Sequence, residues 1–191
     1  EKELEGSGLD YTIVRPTAYF KSLAGQVERV KRGKRFIVFD SGKTTSTKPI
    51  SETDLAIFLV KTIGSTSSRN KILFVGGPGP ALSQKEMGKI IFDILISKPK
   101  FIYFPSQIFK IISAILYPFC LFSNGVRDTR EFVKIAHYYA TESMLVWDKG
   151  LNKYSAEATP ESGQDTIKAF YSSILKSDTN EHVLKSNRLF K

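Results

Sequence analysis

Apolar and polar positions along the chain fall into short continuous runs separated by helical stripes. Tyr11-Thr12-Ile13-Val14 is nearly all aromatic or β-branched, which suits a strand covered on both faces, although so short a run also suits core helix. It stops at Arg15-Pro16, since a residue ahead of proline is kept out of the helical region. Leu23, Val27 and Val30 recur at helical spacing within 21–32, and 35–40 (RFIVFD) reads as a strand closed by a Ser41-Gly42 turn. After a polar, β-leaning stretch at 44–48, Ser51 and Asp54 form a variant capping box. They precede a helix with Leu55, Phe58, Leu59 and Thr62 on one face. The run 71–75 (KILFV) is a further strand; Ser83 and Glu86 form a fuller capping box for a helix over 84–97 that buries Met87, Ile90, Ile91, Ile94 and Leu95. A strand at 100–104 ends at Pro105. Three strand–helix units in succession predict an α/β fold with a parallel sheet and right-handed connections.

The most apolar segment, 107–122 (QIFKIISAILYPFCLF), is too short to span a bilayer and carries Pro118. It reads as a core helix, as a lid over an apolar ligand, or as a membrane-surface contact. Beyond it the pattern predicts a helix over 127–141, a short strand at 143–147, a loop at 154–163 and an amphipathic helix over 165–177. The polar tail at 178–191 is expected to stand apart from a unit covering 1–177. At the other end, Gly6-Ser7-Gly8 reads as a helix stop, with 1–5 the last turn of that helix. With no initiator Met, the expectation is the carboxyl-terminal part of a longer protein.

Composition changes this picture in two places. A single cysteine, Cys120, excludes an internal disulfide framework and any cysteine-based zinc site. The formal charge of +9 would suit nucleic acid, anionic lipid or an acidic small molecule. The cations are spread along the chain instead of gathered in one tract, so nucleic acid is not expected. Their densest cluster, Arg29 to Arg35, either grips an anion or is a solvated helix end.

Candidate chemistry is sparse. Gly77-Pro78-Gly79 begins a dinucleotide-type glycine pattern, but Leu82 replaces the third glycine and no acidic residue follows at the required distance. The run is therefore expected to serve as a turn. His137 and His182 lie far apart, and no HExxH, GxSxG or YxxxK arrangement occurs at a plausible place. What remains is the Arg15-Pro16-Thr17 corner, placed where a strand exits its sheet, and the loop Lys48-Pro49-Ile50-Ser51. In open α/β sheets ligands bind outside the carboxyl ends of strands, and Thr17 would offer a hydroxyl and an amide there.

The stretch GLDYTIVRPTAYFKSLAGQVERVKRGKRF resembles the sixth-strand region of extended and atypical short-chain dehydrogenase/reductases. KPISETDLA, ILFVGGPGPALSQKEMG, YYATESMLVWD and YSAEATPESGQDTIKAFY continue the likeness in the same order, and GGPGPALS and YYATESMLV narrow it to the divinyl chlorophyllide 8-vinyl reductases of chlorophyll synthesis. The resemblance implies the carboxyl-terminal portion of a Rossmann-like parallel sheet with added helices, NADPH as cofactor, and reduction of the 8-vinyl group of divinyl chlorophyllide or its protochlorophyllide precursor to ethyl. It implies a plastid location, in the chloroplast, with thylakoid or envelope association and peripheral membrane contact as extensions. It places Arg15, Pro16, Thr17, Ala18 and Phe20 beside the nicotinamide, with Thr17 required to face the open rim of the sheet. The family's upstream glycine-rich loop has no match in these 191 residues, so this chain alone is expected to bind NADPH weakly or not at all, and no catalytic residue is assigned. For a flat tetrapyrrole, Phe109, Tyr117, Phe119 and Phe122 are expected to line one wall, with Lys43, Lys48 or Arg127 meeting its carboxylate. The alternatives are a non-catalytic NAD(P)-binding sensor or assembly factor of the same fold, and a membrane-surface module.

Overall fold

A computed structural model describes residues 1–121 and 123–176. Phe122 and the 178–191 tail lie outside the described residues. The element order is α1 (Lys2–Glu5), β1 (Thr12–Pro16), α2 (Phe20–Leu23), α3 (Gly25–Lys31), β2 (Phe36–Phe39), β3 (Ser46–Thr47), α4 (Glu52–Thr62), β4 (Lys71–Val75), β5 (Leu82–Ser83), α5 (Gln84–Ile94), β6 (Phe101–Phe104), α6 (Ile108–Leu116), α7 (Asn124–Thr141), β7 (Val146–Asp148), β8 (Lys153–Ser155) and α8 (Ile167–Lys176).

The strands pair as expected for an α/β protein, but in separate pairs. β1 runs parallel to β4, with Thr12 opposite Lys71 and Pro16 opposite Val75. β2 runs parallel to β6, with Phe36 opposite Phe101. Two short antiparallel pairs, β3 with β5 and β7 with β8, complete the described ladders. The parallel character holds, while a single continuous sheet does not form among the described residues.

The main core lies between α2, α3, α5, α8 and the β2 face. Phe20, Val27, Val38, Ile91 and Tyr171 are almost wholly buried there. Each such side chain gains roughly 1.5–3 kcal/mol from leaving water. The predicted helix over 21–32 is split at Ala24, which is fully buried. Gln26 on α3 replaces a missing strand neighbour for β2: its side chain donates to the Ile37 carbonyl at 2.9 Å and accepts from the Ile37 amide at 3.2 Å. A smaller cluster, Ile50, Leu55 and Val75, fixes α4 against β1 and β4. Leu59, expected on the buried face of α4, is exposed, as is Leu95 at the end of α5.

Ser83 and Glu86 close the reciprocal box that starts α5 as read, whereas Ser51 caps α4 alone: its Oγ accepts from the Asp54 amide at 3.0 Å, but the Asp54 side chain turns to 164–165 and closes no box. The segment after β6 is not a core helix. α6, its 3-10 extension Tyr117–Leu121 and α7 form a hairpin, and no residue of α6 or of that extension is buried. Its carboxyl end is tied back by the Met144 amide, which donates to the Ser46 carbonyl at 2.9 Å.

Candidate active site

The strand–loop corner that leaves β1 is built by three layers of contact. Arg15 faces outward: its guanidinium binds the Glu1 carboxylate and lies 5.5 Å over the Phe74 ring. That pairing raises the Arg15 pKa and lowers that of Glu1. Next, Thr17 turns inward and is 6% exposed. Its amide donates to the Val75 carbonyl at 3.0 Å, and its hydroxyl donates to the Lys48 carbonyl. Ala18 exchanges backbone bonds with Thr47 Oγ1 and the Ile50 amide, and Phe20 is part of the main core.

This corrects the expectation for three residues. Thr17 does not face the open rim, and both groups it was to offer a cofactor are spent inside the chain. Ala18 and Phe20 are likewise buried. Their part is to fix the corner from beneath. The surface of the corner is made by Arg15, half-buried Pro16 and exposed Tyr19.

Beside the corner four distant segments meet. The Gly77 amide donates to the Lys48 carbonyl at 3.0 Å, the Gly76 amide to the Pro160 carbonyl at 2.8 Å, and the Ser162 amide to the Gly76 carbonyl at 2.9 Å. Lys48, proposed from sequence to meet a substrate carboxylate, has a side chain only 7% exposed, and its Nζ lies 2.6 Å from Glu161 Oε1. Its charge is already paired, and it serves to hold 160–162 against the β4 exit. Lys48, with the Gly79 amide behind it, keeps the Glu161 carboxyl below the ordinary carboxylate range. Asp54, on α4, reaches the same segment: its Oδ2 accepts from the amides of Gln164 at 3.1 Å and Asp165 at 2.9 Å. Ser51 Oγ, besides capping α4, donates to Asp165 Oδ2 at 2.7 Å.

A second concavity opens past the carboxyl ends of β2 and β6, between α6 and α7. It has a volume of about 320 Å³ and is lined by Phe109, Ser113, Ala114, Arg130, Lys134 and His137, with Lys110 at its side. Phe109 stacks on Phe39 at 4.9 Å and meets the His137 ring edge-on at 6.4 Å. Of the proposed aromatic wall, Phe109 lines this pocket; Tyr117 and Phe119 are exposed on the adjoining turn, and Phe122 is outside the described residues. Arg127 is not at the pocket: its Nη2 donates to the Cys120 carbonyl at 3.4 Å. Lys43 lies out on the surface near Glu86, whose carboxyl it helps to hold ionised. Three cations line the pocket, none of them expected there: Lys110 comes from α6, and α7 supplies Arg130 and Lys134. The signal for the α7 pair was present as spacing, since residues 130, 134 and 137 fall on one face of a helix.

No profile of a known protein family matches the chain. Curated relatives do match. The chain is 46% identical over 166 residues to the chloroplastic divinyl chlorophyllide a 8-vinyl-reductase of Oryza sativa, a match covering 87% of this chain and 41% of that protein. It is 43% identical over 174 residues to the Arabidopsis thaliana protein of the same name, covering 91% and 42%. The chain thus spans about two fifths of the length of the curated relatives it matches. Among solved structures, leucoanthocyanidin reductase from Vitis vinifera in its ternary complex superposes with a TM-score of 0.62 at 12% identity, over 92% of this chain and 58% of that one. An NADPH-dependent quinone oxidoreductase from Escherichia coli gives 0.59 at 14% identity, over 92% and 58%. The chain is therefore similar, over about two fifths of their length, to the divinyl chlorophyllide a 8-vinyl-reductases, and it has a Rossmann-type fold.

Proposed function

We propose that the chain is part of an NADPH-dependent reductase that converts the 8-vinyl group of divinyl chlorophyllide, or of its protochlorophyllide precursor, to ethyl. The observation that carries this is the identity of 43–46% along 87–92% of the chain to proteins bearing that name. NADPH would supply hydride to one vinyl carbon while a proton reaches the other, leaving NADP⁺. This chain's share is positional. Pro16 and Tyr19 would form the rim beside the nicotinamide, held by buried Thr17, Ala18 and Phe20 and flanked by Arg15. Gly76 and Gly77 are occupied in packing against 48–50, so neither is open to a pyrophosphate. Phe109, Tyr117 and Phe119 would face the macrocycle.

Residence in the chloroplast accords with the names of the relatives. No helix among the described residues is long and apolar enough to cross a membrane. Thylakoid or envelope contact would instead use the exposed Ile112 and Leu121 of the α6 hairpin, on a basic chain. Pigment analysis tests the function: cells in which this gene is inactivated should accumulate divinyl chlorophylls, and unchanged monovinyl pigment would refute the assignment.

A further inference from the structure

The α6–α7 pocket combines features that select one kind of ligand. Its apolar lining comes from partly buried Phe109 and exposed Ala114, and its cationic lining from Arg130 and Lys134, with Lys110 on the α6 side. Arg130 is pre-organised: its side chain is 23% exposed, its Nε donates to the Ser113 carbonyl at 3.1 Å, and its guanidinium lies 4.9 Å over the Tyr117 ring. One carboxylate already shows how an anion sits between the two cations. Glu131 Oε1 is 2.7 Å from Lys134 Nζ and 3.6 Å from Arg130 Nη1. That carboxylate is itself exposed, so its ion pairs are screened and readily exchanged for others. Below them the His137 Nε2 atom is buried and has no hydrogen-bond partner among the described residues, a state that buried polar atoms rarely keep. The volume of about 320 Å³ sits at the low end for ligand pockets. It accommodates an acidic side arm and a ring edge, and a whole macrocycle would extend over the exposed Ile111, Ile115 and Phe119.

We propose that this pocket binds the carboxylate arm of an apolar ring ligand, with Arg130 and Lys134 as its two cationic contacts. The identity of the ring as a tetrapyrrole rests on the function proposed above, and the carboxylate site rests on the pocket alone. The site replaces Lys43, Lys48 and Arg127 as the anion contacts. Arg130 can bind a carboxylate in two-pronged fashion, and Lys134 adds a point charge. Binding displaces Glu131 from its cations.

The test is fluorescence titration of the full chain with mesoporphyrin and with its dimethyl ester, in one detergent, with folding followed by circular dichroism. The acid should bind at least about ten-fold tighter than the ester, the scale of one charge-assisted contact. Lys134→Gln should reduce that preference several-fold, and the Arg130→Gln/Lys134→Gln double variant should abolish it. Glu131→Gln, which removes the internal competitor, should tighten acid binding; a purely structural role for the cluster would not produce that gain. Equal binding of acid and ester, a preference unchanged in the double variant, or no binding of either porphyrin would overturn the site. Those results leave the reductase assignment to the pigment analysis. Conversely, a preserved acid preference with normal pigments in gene-inactivated cells would keep the site and remove chlorophyllide as its cellular ligand.

Discussion

Replacing Gly77 by alanine separates two readings of the glycine run. Gly77 does not have positive φ, so alanine is conformationally acceptable there. The obstacle is space. A Cβ at Gly77 would fall inside contact with the Pro49 carbonyl oxygen, 2.8 Å from its carbonyl carbon and 3.1 Å from Ile50 Cα. Non-bonded heavy atoms settle at about 3.5–4.0 Å, and the Pro49 carbonyl oxygen is the nearest atom met, so the 48–50 loop would have to retreat by more than about 1 Å. All the atoms met are backbone, and Ile50 is fully buried. The retreat strains the Gly77–Lys48 and Ile50–Ala18 backbone bonds, both 3.0 Å. Losing two such bonds, at about 1 kcal/mol each, plus the overpacking cost, gives a destabilisation of about 3 kcal/mol. Gly79 supplies the control. Its φ is +96° and a Cβ there meets nothing within 4 Å, so Gly79→Ala should cost only the backbone strain, about 1–2 kcal/mol. Urea unfolding read by Trp147 fluorescence and by circular dichroism would measure both. A Gly77→Ala protein as stable as the parent, or less affected than Gly79→Ala, would refute the close-approach argument.

Two further outcomes follow from polar contacts. Asp54→Ala removes an acceptor shared by the Gln164 and Asp165 amides; because those residues lie at the surface and water can replace part of the loss, the cost should be about 2 kcal/mol in the same unfolding assay, with Asn in its place costing less. The Ser83 hydroxyl and amide lower the Glu86 pKa from its ordinary value of 4.5. A depressed folded-state pKa contributes stability that is present above pH 4.5 and lost as pH falls through the lower folded value. Ser83→Ala should therefore destabilise by about 1 kcal/mol at pH 7 and flatten the decline of stability below pH 4.5, measured by unfolding across pH 3–7.

The two serine caps were legible because a cap is a local device: Ser83 and Glu86 need only each other. The parallel strands were legible from short β-branched runs, for the same reason. Thr17 was not, because the partner of its hydroxyl is the Lys48 carbonyl, 31 residues away. Lys48 was misread as a free cation since its counter-ion, Glu161, lies 113 residues on. Apolar content alone left three readings for 107–122, and the exposure of Ile111, Ile115 and Leu121 excludes the buried core helix. Gly77-Pro78-Gly79 looked like the start of a phosphate loop because glycine serves equally where a ligand or another backbone approaches closely, and at Gly77 it is the backbone of Pro49 and Ile50 that approaches.

The meeting of Lys48 with Glu161 and of Ser51 with Asp165, across 113 and 114 residues, has a temporal consequence. Such closures are slow to find and give nothing until complete. A ribosome delivering this chain would release β1, α4 and β4 long before the strap that locks them arrives. Until residues 160–165 emerge, Lys48 lacks Glu161, the Gly76 backbone lacks Pro160 and Ser162, and Ser51 lacks Asp165. Interrupted synthesis short of that point would yield a precursor with an open seam, prey to proteases and chaperones, and the last quarter of the described chain acts as the fold's closing stitch.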